Sequence, residues 1–241
     1  MNKIIIFDID EKFNESNFLD HEVIDILYRL KTIDNLDIGI VSSNNIIDDN
    51  LFERDKDLFK YIFLENGLVS YCDNEIFHNN SMINILGEKN NTKLINICLR
   101  EILNCDYLVK RGHFIESKNN MIMISPIGFN CSEKIITEFS KHDFIYNYRT
   151  KMIECIKSKW EVYQYENTDI IIPNITFSID EKHCIIISLK ILDKSYCSQL
   201  LKDNDNKMLF FGNNVLNDEI INYKMKDKTN MVKKLVEIFQ L

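Results

Sequence analysis

The sequence predicts an α/β protein, with a doubly wound and mostly parallel core that is interrupted by an inserted α+β cap built on an antiparallel sheet. Three observations predict it. Strand, helix and strand alternate at the beginning of the chain, as in parallel sheets whose crossovers are helical. The middle instead groups hairpins and helices in runs, which indicates an antiparallel sheet. The alternation then resumes near the C-terminus. We therefore expect a core of residues 1–69 and 189–241, with a cap of residues 70–188 between them.

The first part of the core begins with KIIIFDID (3–10). This continuous apolar run suits a parallel strand that is covered on both faces. Residues 16–35 carry apolar side chains at helical spacing, and LDIGIVSSNN (36–45) is a second short strand that ends in small polar residues. Residues 57–71 form a third strand candidate, interrupted by Asn66-Gly67. Strand, helix and strand with polar loops are typical of an α/β core.

The cap contains a different pattern. Residues 92–104 and 132–163 are amphipathic and helical, whereas residues 112–128 and 174–191 have the composition of strands. A turn at 118–120 divides the first of these strand regions into a hairpin.

The core pattern returns after the cap. Residues 193–201 have helical character, KMLFFG (207–212) is a buried strand, and residues 230–240 form a closing amphipathic helix.

Composition excludes several classes of function. The formal net charge of -8 argues against a broad nucleic-acid or anionic-membrane surface, since both partners require positive charge. The N-terminus lacks the pattern of a signal peptide, and no apolar run is long enough to span a membrane, so we expect a cytoplasmic protein. The seven cysteines and five histidines are scattered without zinc-ligand spacing. The sequence therefore predicts reduced thiols and no zinc site.

Polar residues follow three predicted core strands. Asp8 and Asp10 end the first strand, residues 42–45 end the second, and residues 213–218 follow KMLFFG. Ligands of open parallel sheets bind beyond the carboxyl ends of the strands. One carboxylate there can hold a hard cation and attack an electrophile, while the second moves a proton. Because Mg²⁺ also bridges to phosphate oxygens, the pattern favours phosphoryl transfer. A plain strand end remains the alternative.

Seven stretches in a fixed order resemble the eukaryotic-type phosphomannomutases of the haloacid dehalogenase (HAD) superfamily. They are FDID (7–10), ENGLV (65–69), KRGHFIE (110–116), ISPIG (124–128), FSI (177–179), DKSYC (193–197) and FFGNN…NDEI (210–220). The resemblance implies a HAD-like core, a four-stranded antiparallel cap and a homodimer formed through the cap. It also implies Mg²⁺ and the interconversion of mannose 6-phosphate and mannose 1-phosphate for GDP-mannose synthesis, through an aspartyl phosphate.

The resemblance assigns roles to individual residues of the core. Asp8 matches the nucleophile, Asp10 the acid/base and Lys194 the lysine that balances their charge. Asn213 and Asp218 fall in the metal-binding loop, so the implied metal ligands are Asp8, Asp10, Asn213 and Asp218. The loop is about three residues shorter than the family pattern.

Several positions depart from the family pattern. Beside the aspartates, Glu11 and Lys12 replace Gly-Thr, and Glu11 adds bulk and negative charge where the backbone should approach a phosphate. Asn44 takes the place of a phosphate-binding serine. In the cap, Arg111 is retained as a phosphate ligand. The cap positions that differ hold Lys118 and Phe129 in place of arginines, Cys184 in place of serine and Ile186 in place of aspartate.

These departures favour a protein whose mutase activity is lost or severely impaired and which keeps a non-catalytic binding or structural role with an unknown protein partner. Two alternatives remain open. One is an active, divergent phosphomannomutase that acts on a hexose phosphate, and the other is a Mg²⁺-dependent phosphatase of altered specificity. None of the three requires nucleic acid or a membrane.

Overall fold

A computed structural model of the chain describes residues 3–10, 21–45, 56–168, 171–180, 182–201, 207–212, 220–225 and 228–240. The strands are β1 (Lys3–Asp8), β2 (Leu36–Val41), β3 (Tyr61–Leu64), β4 (Val69–Cys72), β5 (Glu75–Asn79), β6 (Ile115–Ser117), β7 (Met121–Ile124), β8 (Ile175–Ile179), β9 (Ile185–Leu189), β10 (Lys207–Gly212) and β11 (Ile221–Lys224). The helices are α1 (His21–Lys31), α2 (Met82–Leu86), α3 (Glu88–Asn104), α4 (Glu133–Tyr146), α5 (Tyr148–Glu166), α6 (Tyr196–Gln199) and α7 (Lys228–Phe239). The chain forms two compact units, residues 1–79 with 192–241 (the core) and residues 80–191 (the cap).

The core contains a seven-stranded sheet in the order β11-β10-β1-β2-β3-β4-β5. The first five strands in this order are parallel, and β4 and β5 are added antiparallel at the edge. The expected α/β class with a mostly parallel sheet is thereby confirmed. Strand β1 lies between β10 and β2, which explains why its sequence is apolar without interruption.

Both faces of the core sheet are covered. On β1, Ile5 and Phe7 belong to one apolar cluster with side chains of α1 and α7, whereas Ile4 and Ile6 belong to a second cluster that includes Cys197 of α6. Alternate side chains of a strand point to opposite faces, so burial on both sides is what requires the unbroken apolar run. The doubly wound arrangement follows.

The cap contains a separate antiparallel sheet in the order β6-β7-β9-β8. Its two central strands alternate: Ile122 and Ile124 on β7 and Ile185 and Ile187 on β9 are buried, and the residues between them are half-buried. Helices α3 and α5 pack against each other and bury apolar side chains that include Trp160. The antiparallel α+β cap is confirmed.

The structure differs from the sequence expectation in several places. The core extends to residue 79 rather than 69, because β4 and β5 pair with β3 and continue its sheet. The helical stretch 132–163 is two helices, since Asn147 adopts the left-handed conformation (φ 56°) that ends α4. Only Tyr196–Gln199 of the expected helix at 193–201 is α-helical, and strand β11 was not anticipated. Among the described helices, none has the length and apolar character needed to cross a bilayer.

Candidate active site

Asp8 is the last residue of β1 and Asp10 follows two residues later, at the carboxyl edge of the parallel strands. The two residues are only 3% and 7% exposed. On the neighbouring strand β10, a Cβ atom at Gly212 would lie 2.7 Å from the Cβ of Asp8. Glycine at that position therefore leaves the space that the Asp8 side chain occupies.

Lys194 joins the two carboxylates. Its Nζ lies 2.5 Å from Asp8 Oδ1 and 2.9 Å from Asp10 Oδ2, and its side chain is 12% exposed. The backbone N–H of Asp10 also donates to Asp8 Oδ1, at 3.0 Å. The structure thus brings together the three residues that the resemblance selected for the core, and it places one positive charge between two negative ones.

The end of β2 holds Asp10 in position. Ser42 Oγ donates to Asp10 Oδ1 at 2.8 Å, and the backbone N–H of Ser43 donates to Asp10 Oδ2 at 2.7 Å. Asn44, the residue aligned with the phosphate-binding serine, is exposed and donates its backbone N–H to Ser42 Oγ at 3.0 Å. Ser42 lies within the polar strand end 42–45 that the sequence indicated, but its role in holding Asp10 was not predicted.

The loop that carries Lys194 is fixed against the ENG turn at 65–67. Asn66 donates its side-chain amide to the carbonyl of Leu192 at 3.0 Å. Gly67 has φ +105°, and a Cβ atom there would approach the Cα of Cys197 to 3.2 Å. The thiol of Cys197 donates to the carbonyl of Lys194 at 2.9 Å. The ENGLV and DKSYC motifs, which are distant in sequence, therefore lie in contact, and this contact positions the ammonium group of Lys194.

Burial and charge act in opposite directions at this cluster. Burial raises the pKa of Asp8 above its usual value, an effect that Lys194 offsets only in part. Burial acts in the same direction on Asp10, but Lys194 and Ser43 outweigh it and lower the pKa of that carboxyl. Burial opposes the charge of Lys194, yet the two carboxylates outweigh this and raise its pKa. Lys194 is therefore the group that allows two buried carboxylates to coexist.

The phosphate-binding region implied in the cap has a different character. The segment of Arg111 pairs with that of Phe129: Arg111 donates its N–H to the carbonyl of Ile127, and Phe129 donates its N–H to the carbonyl of His113. The guanidinium of Arg111 is exposed and donates to the carbonyl of Lys110 at 2.8 Å. Phe129 stacks on the ring of His113, with centroids 4.9 Å apart. At Phe129, where the resemblance implies an arginine, the side chain therefore makes an aromatic contact.

The structure describes three further positions of the cap that differ from the family pattern, namely Lys118, Cys184 and Ile186. Lys118 is exposed in the turn between β6 and β7. Cys184 is 2% exposed, and Ile186 is half-buried on β9, where it pairs with Met123. Glu11, Lys12, Asn213 and Asp218 lie outside the described residues, so the implied metal-binding loop stays a prediction.

The fold and the site define a HAD-like protein with paired carboxylates at the carboxyl edge of a parallel sheet. A trehalose-6-phosphate phosphatase from Aspergillus fumigatus has a similar fold, with a TM-score of 0.62 at 10% identity over 100% of this chain and 93% of that one. A haloacid dehalogenase-like hydrolase from Bacteroides thetaiotaomicron has a TM-score of 0.56 at 11% identity, covering 99% of this chain and 100% of that one.

Sequence comparison defines the family within that class. Residues 23–237 match the family model of eukaryotic phosphomannomutase. Phosphomannomutase 2 of Dictyostelium discoideum is 32% identical over 213 residues, which cover 87% of this chain and 81% of that protein. The chain belongs to the eukaryotic phosphomannomutase family.

Proposed function

We propose that the protein transfers a phosphoryl group between Asp8 and a hexose phosphate, and that its mutase turnover is strongly reduced by the composition of its cap. The observation that carries this proposal is the contact of Lys194 with both Asp8 and Asp10. A buried carboxylate pair that is charge-balanced and hydrogen-bonded is already arranged for the reaction. The contacts among Asp8, Asp10 and Lys194 favour retained chemistry over the fully non-catalytic role that the sequence departures suggested.

Asp8 acts as the nucleophile in this proposal. A carboxylate oxygen of Asp8 attacks the phosphorus of the sugar phosphate, an O–P bond to Asp8 forms, and the bond between phosphorus and the sugar oxygen breaks. Asp10 carries the proton: as a carboxylate it takes the proton of the sugar hydroxyl that receives the phosphoryl group, and it returns that proton to the sugar oxygen that departs when the phosphoryl group moves back to Asp8. Ser42 and Ser43 hold its carboxylate in one orientation for both steps.

The donor set of the core suits Mg²⁺, because that ion prefers oxygen ligands and one or two carboxylates. Among the described residues, the polar contacts of the Asp8 carboxylate are all made to Oδ1. Asp8 and Asp10 would hold the ion, together with Asn213 and Asp218 if the resemblance extends to their loop. When bound, Mg²⁺ would neutralise charge on the transferring phosphoryl group.

The cap limits the mutase reaction. A mutase must hold a sugar with phosphate at either end, so it depends on ligands remote from the reacting group. Phe129 has no charge with which to bind a phosphate, and Ile186 has no acceptor for a sugar hydroxyl. Arg111 remains as an exposed cation. We therefore expect weak substrate affinity with the transfer step itself preserved.

The experiment is to incubate the purified chain with Mg²⁺ and a hexose 1,6-bisphosphate, then to trap the acyl phosphate by reduction and locate it by mass spectrometry. We expect an adduct at Asp8 and slow interconversion of mannose 1-phosphate and mannose 6-phosphate. Asp8→Asn should abolish both. Asp37→Asn is the matched control, because Asp37 is a core carboxylate paired with Lys60. Absence of any adduct on the native chain would contradict the proposal.

A non-catalytic binding module is the second candidate, and the packing of Phe129 against His113 favours it, since it places an aromatic surface beside Arg111. Saturable binding of a hexose phosphate with no adduct and no interconversion would select this candidate. Hydrolysis of a phosphate ester that is lost in Asp8→Asn, without interconversion, would instead select the phosphatase.

We also propose that the protein forms a homodimer through the cap. Large apolar side chains are exposed along the cap helices: Leu103 on α3, Phe144 and Ile145 on α4, and Tyr165 on α5. Exposed large apolar side chains of this kind are candidates for an interaction site. Sedimentation analysis of the native chain and of Phe144→Ser tests this, with a monomeric native chain as the contradicting result.

A further inference from the structure

The turn between β8 and β9 in the cap brings an aspartate, a histidine and a cysteine together. One ligand atom from each of Asp180, His183 and Cys184 lies within 4.8 Å of the others. The three belong to one unit and do not take part in the phosphoryl transfer proposed above. The spacing of cysteines and histidines along the chain predicted no zinc site, because the carboxylate of Asp180 completes this group only in the folded turn.

His183 has an unusual environment for a polar side chain. It is 7% exposed, and both of its ring nitrogens are buried without a hydrogen-bond partner among the described residues. Buried polar groups are almost always satisfied, because desolvation without a partner costs about 1–3 kcal/mol. One of these nitrogens is the atom that approaches Asp180 and Cys184. A cation at that point would supply the partner that the imidazole lacks.

The carboxylate of the group is already fixed in place. Asp180 Oδ1 accepts the backbone N–H of Cys184 at 2.6 Å and lies 3.2 Å from Nη1 of Arg149. The backbone N–H of Asp180 donates to the carbonyl of Cys184 at 3.1 Å and closes the turn. Oriented ligands of this kind lose little freedom when an ion binds.

The positive charge of Arg149 opposes the binding of a cation here, but the carboxylate of Asp143 already balances that charge. Its Nε donates to Asp143 Oδ2 at 2.7 Å, and the side chains of both residues are 9% exposed. The carboxylate of Asp180 and the thiolate that Cys184 forms on binding supply two further negative charges. The positive charges of Arg149 and a divalent ion then equal the negative charges of Asp143, Asp180 and Cys184, so the cluster as a whole is neutral.

We propose that Asp180, His183 and Cys184 bind one zinc-class divalent ion, with water as the fourth ligand, and that this ion clamps the β8–β9 turn. The mixture of thiolate, imidazole and carboxylate suits Zn²⁺, whereas Mg²⁺ and Ca²⁺ require oxygen donors. A tetrahedral ion with bonds of 2.0–2.3 Å holds its ligands about 3.3–3.8 Å apart, which lies inside the 4.8 Å within which the three atoms are already grouped. The thiol proton of Cys184 passes to solvent.

The test uses Co²⁺ as a spectroscopic substitute for Zn²⁺ on the full, reduced chain. Excess Mg²⁺ is present to occupy the carboxylates of the core. We expect one equivalent of Co²⁺ to produce a thiolate-to-cobalt charge-transfer band, and an equivalent of Zn²⁺ to abolish it by displacement. We also expect Zn²⁺ to raise the melting temperature of the cap.

Matched variants identify the ligands. Cys184→Ser and His183→Gln should remove the band, and Asp180→Asn should weaken Co²⁺ binding at least tenfold. Cys155→Ser, which removes an exposed cysteine, should leave the band unchanged. Circular dichroism checks that each variant folds. Should Cys184→Ser not fold, His183→Gln and Asp180→Asn decide the question.

Three results would overturn the proposal: no charge-transfer band on the native chain, a band that persists in His183→Gln, or a band that disappears in Cys155→Ser. None of these results bears on phosphoryl transfer, because the Asp8 adduct is measured without a zinc-class ion. The two proposals therefore fail independently.

Discussion

The core and the cap of this protein differ in where their buried charged side chains lie. In the core, Asp8 and Asp10 are held at the edge of the parallel sheet and balanced by Lys194. In the cap, the buried ion pair joins Arg149 to Asp143, outside the positions that the family resemblance assigns to the substrate. Three of those positions hold Phe129, Cys184 and Ile186, and two hold the exposed cations Arg111 and Lys118.

The difference teaches that chemistry and recognition can change separately in a protein built from two units. The transfer step depends on a few charged groups whose placement follows from the core sheet. In the proposed function, recognition depends instead on side chains of the cap, whose sheet is separate from that of the core. A protein with an intact reactive cluster and an altered recognition surface is the expected result.

Among the variants that test this comparison between core and cap, Lys194→Met should have the largest effect. Two carboxylates would then lie buried without a counter-charge, so we expect transfer to Asp8 to stop and the free energy of unfolding to fall by roughly 3–5 kcal/mol. Urea denaturation at neutral pH measures the second effect. Lys60→Met is the matched control, since its pair with Asp37 is 35% and 21% exposed and should contribute under about 1 kcal/mol. Equal losses in both variants would contradict the assignment.

Arg149→Met applies the same test to the cap. It leaves Asp143 buried and unpaired, and we expect the cap to lose about 3 kcal/mol of stability while the Asp8 adduct still forms. The control is Lys234→Met, whose pair with Glu237 is exposed and should be nearly neutral. Loss of the adduct in folded Arg149→Met would show that the two units are not independent in this respect.

Restoring polar groups to the cap should strengthen recognition. In Ile186→Asp combined with Phe129→Arg, we expect the KM for a hexose phosphate to fall roughly tenfold, because a hydrogen bond to a charged group contributes about 1.5–3 kcal/mol. Steady-state kinetics measures the change. Ser178→Asp is the control, as it adds a carboxylate at an exposed position that pairs with Ile186. An equal gain in that control would attribute the effect to net charge alone.

The smallest expected effect is a difference in the reactivity of cysteine thiols in the core and in the cap. Burial raises the pKa of Cys197 in the core and of Cys98 in the cap to about 12. A raised pKa means that almost no thiolate exists at pH 8, so both should resist iodoacetamide while the exposed Cys155 reacts. Labelling should rise with pH and with urea, and the order in which Cys98 and Cys197 become labelled reports which unit opens first. Rapid labelling of either at pH 8 would contradict their burial.

Much of this arrangement followed from the sequence. The apolar run before Asp8 indicated a strand buried on both faces, and alternate side chains of β1 do contact two separate clusters. The turn at 118–120 correctly separated β6 from β7. The first boundary of the cap was placed too early, because strand pairing across β3, β4 and β5 depends on hydrogen bonds that apolar patterning does not encode.

The sequence by itself determined the fold class and the family, since periodicity and motif order are properties of the linear chain, and it predicted the trio of Asp8, Asp10 and Lys194 that the structure brings into contact. Only the tertiary structure decided how the trio is held. Lys194 reaches Asp8 across 186 residues of sequence through a loop locked on the ENG turn. Ser42 supports Asp10 from another strand. The grouping of Asp180, His183 and Cys184 with the unpartnered imidazole is likewise visible only once the turn is folded, because burial and hydrogen-bond satisfaction depend on packing.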